Sequence, residues 1–156
     1  MPSEIRPLAS LAACLVLAGC AATPTQPLAE PPAQSRGEIV VYRESAFAAG
    51  GLSVSVGVNG RRFVNLDNSD VARARLPAGS HEVLVQARSA EPTRVQVQLE
   101  PGQTICLRTS ASPGTYAKVV VPIALIASGY HFYLDPVPCP APAELAKYKT
   151  IPVAYQ

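Results

Sequence analysis

The side chains best suited to thiol, metal or acid–base chemistry in this 156-residue chain are four cysteines and two histidines. Cys14 and Cys20 lie close together near the start, Cys106 and Cys139 stand far downstream, and His81 and His131 are isolated from each other. No metal-ligand spacing joins the histidines to Cys106 or Cys139, so no metal site is expected. A nucleophilic Cys106 served by His81 or His131 would need an activating partner that the sequence does not place nearby. The run Asp67-Asn68-Ser69-Asp70 resembles a calcium loop only superficially. It lacks the glycine and the distal glutamate of such a site and reads as a polar turn. No G-x-S-x-G elbow occurs. No catalytic residue and no cofactor is therefore expected, and His81 and His131 are expected to be ordinary strand residues.

Cys20 is different because of what precedes it. Residues 8–18 (LASLAACLVLA) are apolar or small all round, which is the pattern of a signal-peptide core rather than of an amphipathic helix. The run is too short to span a bilayer. Leu17-Ala18-Gly19-Cys20 resembles a bacterial lipobox. That resemblance implies cleavage before Cys20, a diacylglyceryl thioether on its sulfur and an acylated amine. Two or three acyl chains would hold the protein on a bilayer without crossing it, since one chain binds only marginally and a second makes attachment stable. Ala21 stands where aspartate would favour inner-membrane retention, so the resemblance points to the outer membrane, with the domain facing the periplasm.

With residues 1–19 as a cleaved signal, residues 20–37 form the lipid anchor and a tether. Pro24, Pro27, Pro31 and Pro32 favour extended polyproline conformation. At about 3.1 Å per residue this segment would reach on the order of 50 Å. Removing the signal takes away one Glu and one Arg, so the net charge stays at +2. Arg61-Arg62 is the one adjacent basic pair, and nothing suggests a nucleic-acid partner. Cys14 leaves with the signal and Cys20 is occupied, which leaves Cys106 and Cys139 to pair in an exported protein.

Period-two alternation organises the remainder into one domain, residues 38–138, with a tail at 139–156. Strands are expected at 38–45 (EIVVYRES), 52–58 (LSVSVGV), 61–66 (RRFVNL), 71–76 (VARARL), 81–87 (HEVLVQA), 93–100 (TRVQVQLE) and 104–110 (TICLRTS). Asn59-Gly60 is a strong signal for a two-residue hairpin turn, because a type I′ turn needs positive φ at both central positions. Residues 117–127 (AKVVVPIALIA) suit a buried strand that Pro122 confines to an edge or bulge, and 130–134 (YHFYL) reads as another strand. A helical turn is expected near 144–148. Short strands at this spacing, divided by Gly, Pro, Asn and Asp, predict an all-β fold, a single antiparallel β-sandwich.

The segments VSVGVNGRR and LPAGSHEVLVQA resemble the PEGA-type module, a small immunoglobulin-like sandwich of bacterial envelope proteins. Val56, Val58, Asn59, Gly60, Leu76, Pro77, Gly79, His81, Val83 and Val85 carry the match. The opening IVVYRESAF and the later EPGQTICL are similar to a related group of uncharacterised bacterial lipoproteins. These are turn and core residues, and neither group supplies catalytic residues. The combined expectation is a membrane-anchored, non-catalytic envelope lipoprotein serving as a protein-interaction or structural module. Phe47 in the loop SAFAAGG, with Arg43 before it, is the expected interaction loop. The alternative is binding to peptidoglycan or another glycan, with Tyr116, Tyr130 and Tyr133 stacking on sugars. A hydrolase is a third and weaker reading. The expected partners are the membrane, through the lipid, and an envelope protein or the cell wall.

Overall fold

The computed structural model describes residues 23–46, 51–88, 90–112 and 131–156. Among the described residues, nine strands form two sheets. Their bounds are β1 Arg36–Arg43, β2 Val54–Val58, β3 Arg61–Leu66, β4 Asp70–Pro77, β5 Gly79–Ala87, β6 Thr93–Leu99, β7 Thr104–Ala111, β8 Phe132–Val137 and β9 Lys149–Ile151. One sheet runs β8-β7-β1-β4-β9 and the other β3-β2-β5-β6. A short helix, α1 (Pro142–Leu145), precedes β9.

The alternation read from the sequence sets the core between the sheets. Ile39, Val41, Ala72, Ala74, Leu76 and Leu107 from the first sheet meet Val54, Val56, Val58, Val83, Val85, Val97 and Leu99 from the second. Asn59 and Gly60 have φ of 49° and 79°, so the β2–β3 hairpin turns as its residue types require. On β3 the register slips beside Val56, and both Phe63 and Val64 are buried as a result. The 78–79 corner carries the chain from one sheet to the other instead of making a hairpin, because β4 and β5 belong to different sheets.

The sheets are not wholly antiparallel. β1 pairs antiparallel with β4 but parallel with β7, and β4 pairs parallel with β9. Turn residues report only the direction of consecutive strands, and β1 and β7 are brought together after the chain has passed through the second sheet.

Two segments expected to flank the sandwich pack on it. The tail, expected to lie against the domain or hang free, lies against it. The outer face of the first sheet carries Val40, Tyr42, Val71 and Cys106, an apolar patch that water would otherwise meet. Leu145 of α1 and the half-buried Val137 and Tyr148 cover it, with the rings of Tyr42 and Tyr148 edge to face at 5.3 Å. The Cys106–Cys139 disulfide staples this cover to β7. The expected tether is docked as well, at least from Thr23 onward. Leu28 is buried and bridges to Tyr155, the Leu28 N–H donates to the Ala154 carbonyl, and the Gln156 N–H donates back to Leu28. The four prolines do not oppose this docking, since an extended segment needs only an edge to lie on.

Candidate functional site

Among the described strands, the connections that follow β1, β3, β5 and β7 leave from one end of the sandwich. They span residues 44–53, 67–69, 88–92 and 112–131. The other end carries the tight turn at 59–60, the corner at 78 and the connection at 100–103. The first group is referred to as the loop end and the second as the turn end. Longer connections on a rigid sheet base are where binding residues gather, so the loop end is the candidate interaction site.

Arg43 builds the base of the loop end from inside. It lies on the same side of β1 as Ile39 and Val41, which puts it in the core, 2% exposed. Its guanidinium donates to the Leu52 carbonyl and, at 3.2 Å, to the Leu66 carbonyl. It also stands 4.9 Å from the centre of the Phe132 ring. One side chain thereby ties the start of β2, the end of β3 and the start of β8. Burial pushes its pKa down, while the carboxylates of Asp67 and Asp70 oppose that shift. An arginine starts so far above neutrality that it remains charged. The expectation that Arg43 lies at the surface of an interaction loop is therefore corrected. The buried hydroxyl of Thr109, opposite Arg43 on β7, has no hydrogen-bond partner among the described residues.

Polar side chains fix the loop bases above it. Asn68 accepts from the Ala46 N–H at 3.0 Å and donates to the Ala46 carbonyl at 3.1 Å. Asp70, also buried, accepts from the Asp67 N–H at 2.7 Å, so the DNSD run is a self-bonded turn. Thr93 donates to the Phe132 carbonyl, which joins the tops of β6 and β8. The Ser112 N–H donates to the His131 carbonyl at 2.9 Å and closes the base of the β7–β8 connection.

His81 sits at the turn end and is buried. Its Nε2 lies 2.7 Å from the Pro77 carbonyl and its Nδ1 lies 3.0 Å from Asn59 Nδ2. A carbonyl can only accept, so Nε2 carries the proton and Nδ1 accepts from the asparagine. This histidine joins two turns, in keeping with its expected structural role.

Cys106 and Cys139 are bonded to each other. A disulfide sulfur cannot act as a thiolate, which removes Cys106 as a candidate nucleophile. No group of three or more His, Cys, Asp or Glu side chains arranged to hold a metal occurs among the described residues. Leu17, Ala18, Gly19, Cys20, Phe47, Tyr116, Tyr130 and the expected strand at 117–127 lie outside the described residues. Of the three tyrosines considered for sugar stacking, Tyr133 is described, and it is 49% exposed on β8.

The side of the sandwich at β3 and β9 is closed by the N-terminal segment. The Asn65 amide donates to the Thr23 carbonyl at 2.8 Å, the Gln26 N–H to the Arg62 carbonyl at 2.8 Å, and Arg61 to the Pro27 carbonyl at 2.9 Å. Glu30 then lies 3.1 Å from Arg75 and 3.6 Å from Arg36. Exposed ion pairs contribute little, so the burial of Leu28 and the backbone hydrogen bonds hold the segment in place. Nothing in its proline-rich composition signalled this seat.

No family model, curated protein or solved structure matches the chain.

Proposed function

We propose that this chain is a bacterial envelope lipoprotein, acylated at Cys20, whose PEGA-like sandwich is a non-catalytic protein-interaction module. The observation that carries the reading is Leu17-Ala18-Gly19-Cys20 at the end of an uncharged apolar run. The bonded pair Cys106–Cys139 supports export, since such bonds persist in oxidising compartments. Ala21 favours the outer membrane, with the domain in the periplasm. Arg43, which ties the described bases of the loop-end connections, supports binding there to a partner at the membrane surface.

Crosslinking the lipoprotein in intact host cells, with Cys20→Ser as control, tests the reading. A discrete protein partner that is lost in the Cys20→Ser form is the expected result. The exposure of Tyr133 favours a second reading, stacking on a glycan. Recovery of wall fragments alone, with binding to isolated peptidoglycan reduced in Tyr133→Ala, would replace the first reading with the second.

A further inference from the structure

We infer that the loop end of the sandwich faces the bilayer at close range, with the turn end directed away. The inference rests on the reading that Cys20 carries lipid. It follows from the path of the N-terminal segment. Traced backward from Leu28, the chain climbs β3 through Pro27 at Arg61 and Gln26 at Arg62 to Thr23 at Asn65. Asn65 is the penultimate residue of β3, and β3 ends at the loop end. Only Ala21 and Ala22 separate Thr23 from Cys20.

Three residue steps reach at most about 10 Å even when fully extended. A lipidated Cys20 therefore lies within about that distance of the Thr23 seat. The fully extended segment of 20–37 would instead let the domain stand far from the membrane in any orientation. Docking at Thr23, Gln26, Leu28 and Glu30 removes that freedom. The acyl chains supply the attachment. Exposed described residues at the loop end, Asp67, Arg88, Glu91 and Lys149, carry both signs of charge.

Residues 80 and 88 mark the two ends, since both are exposed and lie at opposite ends of β5. They are separated by roughly 26 Å at about 3.3 Å per residue. Full-length Arg88→Cys and Ser80→Cys variants, each carrying a thiol-attached fluorophore, would be reconstituted into phosphatidylcholine vesicles containing a headgroup-nitroxide quencher. Quenching at residue 88 severalfold stronger than at residue 80 is expected. A long Gly-Ser insertion between Ala22 and Thr23 should bring the two labels to similar quenching. Equal quenching without the insertion, or stronger quenching at residue 80, in protein whose intact mass shows an acylated Cys20 overturns the orientation and leaves the lipoprotein reading standing. An intact mass without acyl chains overturns both.

Discussion

Arg43 shows what a single residue can do when strand parity and residue type disagree. Parity places it inward, two residues past Val41 and four past Ile39, while its charge suggests a solvated strand end. The fold satisfies both by giving the guanidinium two carbonyls and an aromatic face inside the core. The partners come from Leu52, Leu66 and Phe132, which are distant in sequence, so they were not legible from the strand itself. Replacing Arg43 with methionine keeps bulk but leaves the Leu52 and Leu66 carbonyls without this donor. The expected loss is about 3 kcal/mol of unfolding free energy in a urea titration. A loss below about 1 kcal/mol would mean that water replaces the donor. His81 is the opposite case. Its place beside a turn was readable from sequence, and the structure adds the two partners that hold its tautomer.

Among the elements, those with clean alternation were readable and those held by distant partners were not. The strands β2, β3, β5 and β6 and the Asn59-Gly60 turn follow directly from local pattern. The docking of the N-terminal segment and of residues 142–156 depends on surfaces that exist only once both sheets have formed. The C-terminal cover can be tested by removing its staple. Cys139→Ser opens a loop with a sequence separation of 33. The chain-entropy estimate for such a loop is about 3.5 kcal/mol, and the Cys139→Ser domain should unfold at correspondingly lower urea. An unchanged midpoint would mean that Leu145 and β9 hold the cover without help. The same cover should be sensitive to alkali. Burial is the first cause raising the Tyr42 and Tyr148 pKa values above their ordinary value of 10.0. Raised folded values mean that the folded state holds these protons more tightly than the unfolded chain does. The resulting stability is fully present below pH 10 and is lost as pH rises through the folded values. Stability measured against pH should therefore fall above that point, and Tyr42→Phe should weaken the fall. The same slope in wild type and Tyr42→Phe would remove Tyr42 as a cause.

At the scale of the whole molecule, the fold class was legible and the arrangement was not. Alternating valines and turn residues predict two sheets around one core, and the chain has them. Strand direction beyond consecutive neighbours has no local signal, which is why the parallel β1–β7 and β4–β9 pairs went unforeseen. The proposed anchor rests on sequence chemistry alone, and the seat of the N-terminal segment would give it a consequence. A segment whose composition suggests a long tether is seated on β3 and against the C-terminus from Thr23 onward, so Thr23 lies beside the loop end. The most direct measurement is the intact mass of the mature protein purified from a bacterial host, with fragmentation of its N-terminal peptide. The account predicts a chain that begins at Cys20 and carries a diacylglyceryl group on the sulfur with a further acyl chain on the amine. A chain that keeps residues 1–19, is cut elsewhere, or begins at an unmodified Cys20 would contradict it.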